Sequence, residues 1–177
     1  MNPFNFGPAD LTERIVHGAQ RPGFPALQVG REPVDAWIDF MRSNGIQRVC
    51  CLLDDELAGY DGLLDRYRRA FGEAEVCHAP IEDYHFAGVE MLAGVILPFL
   101  AQADAAGAKA VVHCSGGIGR TGHVLAAWLV VGRGTAERQA LRDVSRVPGV
   151  YRNPLEAGME SEFLALLARC RRSPDTE

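Results

Sequence analysis

With 177 residues and 47% hydrophobic content, the chain can bury one sizeable core and is too short for two ordinary domains. Its formal charge of −5 comes from 23 acidic and 18 basic residues without a long run of either sign, which argues against nucleic acid or a membrane surface as partner. The five cysteines, at 50, 51, 77, 114 and 170, form neither an even framework nor a CxxC pair, so reduced thiols are expected.

The first stretch, MNPFNFGPADLTER, lacks a basic region followed by an apolar core, and the apolar run 91–101 is too short to span a bilayer. A soluble, cytoplasmic protein is the expectation. The first ten residues and the closing RRSPDTE read as loosely held tails. Residues 34–43 space Val34, Trp37, Ile38 and Met41 at helical intervals and stop at Asn44-Gly45. IQRVCCLLD, 46–54, reads as a buried central strand that empties into Asp54-Asp55. Residues 61–71 read as helix, EVCHAPI (75–81) as a second strand, and 87–106 as a helix kinked at Pro98. AKAVVHC, 108–114, is a third strand, followed after a glycine-rich turn by the apolar helix GHVLAAWLVVG. Thr135 is placed to cap a helix over 136–146, and 155–169 closes the chain as an amphipathic helix. Alternation of this kind predicts an α/β fold: a central, mostly parallel sheet of about four or five strands with helices on both faces.

The turn after the third strand carries the chemistry. In such sheets ligands bind beyond the carboxyl ends of the strands, and a turn entering a helix there offers free N–H groups and a positive dipole end. Ser115, Gly116, Gly117, Ile118 and Gly119 occupy that position, and the glycines let successive N–H groups converge on an anion. Arg120 would close the cradle with two bonds to one tetrahedral oxyanion, which a lysine cannot do. Cys114 then lies on the floor of an electropositive bowl, the setting that favours a thiolate nucleophile.

His113-Cys114, five intervening residues, then Arg120-Thr121-Gly122 matches HCxxGxxRTG. Here the chain resembles the cysteine-dependent protein tyrosine phosphatase superfamily, in its compact, prokaryotic-type dual-specificity branch. The resemblance implies a tyrosine-phosphatase-like fold and a two-step reaction with no metal or other cofactor. Cys114 would form a cysteinyl-phosphate, which water then hydrolyses. It also implies that Thr121 supports the sulfur as leaving group, where a bare reading makes it a helix cap. His113 would orient the loop from below, which scarcely differs from a hydrogen-bonded core histidine.

The departing oxygen must be protonated, so an acid should hang from a neighbouring loop. PIEDYH, 80–85, is that loop, and Asp83 precedes Cys114 by 31 residues, a separation similar to that of the small dual-specificity enzymes. Asp83 is the expected acid, with Glu82 and then His85 behind it. Asp54 and Asp55 read as solvated loop acids, with a role in steering or in supporting the site from behind as the alternative. Cys50, Cys51 and Cys77 read as inert thiols, with a redox partner of Cys114 as the alternative. Arg152 and Asn153 read as part of a loop flanking the pocket and are weak candidates for substrate contacts, and Tyr60, Tyr84, Phe86 and Tyr151 serve as an aromatic wall or as packing.

Two rivals use the same loop: a sulfurtransferase or arsenate reductase, and a non-catalytic phosphate-binding module. Asp83 argues against sulfur transfer, which has no leaving oxygen to protonate, and the Arg120-Thr121-Gly122 ending fits phosphatases better. The second would be expected to lack Cys114, Arg120 or the acid. Inositol-lipid phosphatases of the superfamily often carry lysines within the loop, and SGGIG has none. The expected substrate is a phosphorylated protein, with phosphotyrosine preferred and phosphoserine or phosphothreonine as further substrates. No nucleic acid or membrane partner is expected, and a monomer is favoured.

Overall fold

Apolar side chains three and four residues apart share one face of a helix, and α1 (Arg31–Ser43) buries that face through Val34, Trp37, Ile38 and Met41. In the computed structural model, which describes residues 2–171, this helix and α2 (Leu63–Phe71) cover one side of a five-stranded sheet. The sheet runs β1 (Gly7–Pro8), β2 (Val16–Gln20), β5 (Lys109–Cys114), β3 (Ile46–Cys51), β4 (Val76–His78) in spatial order. Only the β1–β2 pair is antiparallel.

The other side carries a helical segment made of α3 (Val89–Met91), a π-helical turn (Leu92–Ile96) and α4 (Leu97–Ala106), with α5 (Gly119–Arg133), α6 (Glu137–Ser145) and α7 (Glu160–Cys170). One apolar cluster therefore lies under α1 and α2 around Trp37, Tyr67 and Val111. The second lies under α4, α5 and α7 around Leu100, Leu125 and Phe163. Period-two alternation sends Cys50 into the second cluster and Cys51 into the first. The parallel sheet with two helical layers is the expected architecture.

Several boundaries differ from the sequence reading, each for a local reason. No strand was assigned to VHGAQ, yet β2 is central, between β1 and β5. Gly18 within it is a packing necessity, because a Cβ there would stand 2.7 Å from Thr121 Cγ2 and 2.8 Å from Leu125 Cδ1. The N-terminal segment is part of the fold: Asn5 is buried and β1 pairs with β2. Of RRSPDTE, residues 172–177 lie outside the described residues. Thr135 does not cap α6, whose N-cap is Ala136 without a side-chain bond; its N–H closes the end of α5 on Leu129 O at 3.0 Å. The last helix begins at Glu160 rather than 155, because Leu155 packs against the core as part of a loop. The break near Pro98 takes the form of the π turn that precedes it. Pro98 has no N–H to donate four residues back. Continuous over Val89–Ala106, this segment has a mean hydropathy of 1.4 and by length and composition alone could cross a membrane, unlike the run 91–101 considered above. Its Leu92, Ile96, Leu100 and Ala103 are fully buried in the core.

Candidate active site

The parallel strands end together, and their loops converge around Cys114 and Arg120. β5 delivers Cys114, 3% exposed, and after Ser115–Ile118 the chain turns into α5. Gly117 takes φ +70, and a Cβ there would come within 2.6 Å of the Ala19 carbonyl, so both conformation and space demand glycine. Three loop carbonyls are tied down from outside. Asn5 Nδ2 donates to Gly116 O at 3.2 Å and Gly117 O at 3.3 Å, and Arg21 N donates to Ser115 O at 3.0 Å. Arg152 Nη1 donates to Gly117 O at 3.1 Å. Carbonyls held outward leave the loop N–H groups free to face inward.

Three arginines reach this loop, each at most 3% exposed. Arg120 extends from the first turn of α5 and donates from Nη1 to Ile81 O at 3.0 Å. Its Nη2 meets the Glu56 carboxylate at 2.5 Å and Asp83 Oδ1 at 3.1 Å. Burial works against the Glu56 charge, but the hydrogen bond and attraction of Arg120 prevail and lower its pKa. Arg21, at the end of β2, donates from Nε to Ser115 Oγ at 3.1 Å and from Nη1 to Tyr60 OH at 2.8 Å. Among the described residues Arg152 has only carbonyl acceptors, Gly117, Gly7 and Gly18 O, each at 3.1 Å, and the more distant Asn5 O. Burial pulls its pKa down to about 10 while the neighbouring Cys114 pulls the other way. It lies beneath the loop rather than at the pocket edge where sequence reasoning set it.

His113 is wholly buried, with Nε2 3.2 Å from Tyr67 OH and Nδ1 3.4 Å from Cys114 O. Trp37 meets its ring edge-on at 5.2 Å. Burial pushes its pKa down to about 3, so it is neutral near pH 7. Thr121 is fully buried inside α5, past the Ile118 N-cap; the helix-cap alternative is therefore set aside. Its Oγ1 is a buried hydroxyl without a partner among the described residues.

Asp83 stands in the loop after β4 with its carboxylate on Arg120, so the acid loop and the cysteine loop meet at one guanidinium. Tyr84 N donates to Asp83 Oδ1 at 3.1 Å, and His85 Nδ1 lies 2.9 Å from Asp83 O. Glu82 points elsewhere, 3.8 Å from His85. The loop is anchored to α5 by His123, fully buried, whose Nε2 accepts from Ala87 N at 3.1 Å. Burial lowers the pKa of His123 to about 3, which keeps that acceptor unprotonated.

The remaining candidates separate cleanly. Asp54 and Asp55 are exposed, and it is their neighbour Glu56 that reaches Arg120. Tyr60 holds Arg21, and Phe86 packs on His123 and Phe163. Tyr84 and Tyr151 are exposed at 67% and 56%. Strand register sets Cys50 beside Cys77 and Val112, not Cys114. A hydrogen bond to Cys77 and complete burial push the Cys50 thiol well up, and burial pushes Cys51 up to about 12. Sequence reasoning missed Asn5, Arg21, Glu56 and His123. Recognition of β2 would have exposed Arg21, since it follows the strand as Asp54 follows β3. Asn5 acts across more than a hundred residues and leaves no local signal.

Residues 28–164 match the family described as "Swiss Army Knife protein, DSP-PTPase phosphatase domain". Among solved structures, Tk-PTP in its active form is similar at 27% identity and a TM-score of 0.70, covering 98% of this chain and 100% of that one. PTPMT1 in complex with PI(5)P shares the fold at 11% identity and a TM-score of 0.70, with 94% and 96% covered. P. aeruginosa TpbA in complex with pTyr shares it at 16% identity and 0.54, with 97% and 86% covered. No curated protein matches the chain.

Proposed function

The chain belongs to the dual-specificity cysteine phosphatase superfamily, and from that premise we propose that it hydrolyses phosphotyrosine in proteins, and phosphoserine or phosphothreonine as further substrates, through Cys114. The phosphate sits in the Ser115–Gly119 cradle with two oxygens on Arg120. The Cys114 thiolate attacks phosphorus in line, the bond to the departing oxygen breaks, and Asp83 gives that oxygen its proton. Water then attacks the cysteinyl-phosphate, Asp83 takes the proton, and the S–P bond breaks to return the thiolate, supported by the Thr121 hydroxyl. His113 and Arg152 touch no substrate; they hold the loop in shape.

The observation that carries this reading is the 3.1 Å approach of Asp83 to Arg120, which brings a carboxyl group to the arginine of the cysteine loop. It also favours ester hydrolysis over sulfur transfer or phosphate binding alone, neither of which uses an acid there. TpbA carries phosphotyrosine in its complex, and the loop here has no lysine to match a polyphosphorylated lipid. The test is hydrolysis of an aryl phosphate in chelator and reductant, comparing wild type with Cys114→Ser and Asp83→Asn across pH. The expected result is turnover by wild type, none by Cys114→Ser, and loss of activity and of the basic limb in Asp83→Asn. An unimpaired Asp83→Asn moves the acid role to Glu82 or His85, and an inert wild type overturns the reading.

A further inference from the structure

The charge around the site has a layered arrangement that the phosphate chemistry does not require. All the cations at the loop are buried: Arg21, Arg120 and Arg152 are 3%, 3% and 2% exposed. The exposed rim is acidic. The loop after β3 carries Asp54 and Asp55, both exposed, and the loop after β4 carries Glu82 and Asp83, also exposed. Across the mouth Glu156, exposed as well, fills the space that a side chain on Gly119 would need, against the first residue of α5. The loops at this end of the sheet, 21–30, 52–62, 79–88, 115–118 and 153–159, contain no exposed lysine or arginine. The nearest in sequence, Arg31 at the start of α1, is exposed and lies 3.6 Å from Asp61. The single lysine of the chain, Lys109, begins β5 at the opposite end.

A phosphoester therefore passes an acidic collar to reach a buried cationic floor. Inside, Arg120 and the loop N–H groups offset the desolvation of one phosphate; outside, each further negative charge on the substrate meets exposed carboxylates on loops that carry no exposed lysine or arginine. Several like charges within a Debye length of one another matter in kinetics even at an exposed rim. Resting on the phosphatase reading above, we propose that this collar selects phosphorylated peptide segments with lysine or arginine beside the phosphorylated residue, and disfavours acidic segments. The exposed arginines Arg138, Arg142 and Arg146 of α6 border a separate hollow behind Asn153–Leu155. Arg138 is paired with Glu160 at 2.6 Å and Arg142 bonds Gln139 at 2.7 Å.

The test uses two phosphotyrosyl peptides identical except for lysine or glutamate at the flanking positions. At low ionic strength kcat/KM should favour the lysine peptide by roughly tenfold, with the ratio falling toward unity as salt is added. The double variant Asp54→Asn, Asp55→Asn should narrow the ratio to about threefold while p-nitrophenyl phosphate turnover stays unchanged. Equal rates, a preference for glutamate or for a phosphoinositide, or a ratio untouched by the variant would overturn the proposal. Binding of both peptides to Cys114→Ser separates it from its premise. A lysine preference in binding without turnover by wild type would sink the catalytic reading and sustain the collar; no preference in binding would sink the collar whatever the turnover.

Discussion

Replacing Glu13 with glutamine removes one charge from the end of the sheet opposite the site, at the turn that leads into β2. The Glu13 side chain is 1% exposed. Oε2 accepts from Trp128 Nε1 at 2.9 Å and Arg133 Nε at 2.8 Å, and Oε1 from the N–H groups of Arg14 and Ile15 at 2.9 and 2.8 Å. Burial alone would raise its pKa, yet these bonds outweigh it and bring the value down from 4.5 to about 2. A carboxylate whose folded pKa is depressed contributes stability that is full above the unfolded value and lost as pH falls toward the folded one. The shift corresponds to about 3 kcal/mol at pH 7, shrinking to about 1.4 kcal/mol near pH 3. Urea unfolding of wild type and Glu13→Gln at a series of pH values should therefore give a gap of that order at neutral pH that closes steeply below about pH 4.5. A gap independent of pH, or none, would refute the claim that the buried charge rather than the packing of Glu13 supports this end of the fold.

Three further substitutions probe the site. Gly117→Ala forces a Cβ onto a positive φ and within 2.6 Å of the Ala19 carbonyl; activity should fall at least about a hundredfold while circular dichroism stays native, since the strain of about 1–3 kcal/mol falls on the loop that must cradle the phosphate. His123→Leu leaves Ala87 N without its acceptor, so kcat should drop about tenfold with the acid loop loosened, while alkylation of Cys114 by iodoacetamide is unchanged. Arg152→Met removes the donor to Gly117, Gly7 and Gly18 O, which should slow both turnover and alkylation and lower stability by about 1–3 kcal/mol; retention of all three would show that Asn5 and Arg21 alone shape the loop.

The parts legible in the sequence were those with a strong local pattern. Apolar periodicity revealed α1 and the buried strands β3 and β5, and the dense signature around Cys114 pointed to the candidate nucleophile, cradle and arginine, which the fold brings together at one end of the sheet. Asp83 was reachable because it lies in the loop after a recognised strand. VHGAQ was not legible as β2, since a five-residue central strand holding His17, Gly18 and Gln20 shows neither alternation nor an apolar run. With β2 went Arg21, and with the dismissal of the Asp54-Asp55 acids went Glu56. Asn5, His123 and the underside position of Arg152 are tertiary facts: each acts on a backbone group more than thirty residues away, and nothing in a local window records such a contact.

The most direct measurement is intact-mass and peptide spectrometry on Asp83→Asn, acid-quenched during turnover of p-nitrophenyl phosphate. This good leaving group needs little help from an acid, whereas hydrolysis of the intermediate still lacks its base. One phosphoryl group is expected on the peptide that contains Cys114. An enzyme that turns over with Cys114 unmodified, or with the phosphoryl group on another residue, would contradict that expectation.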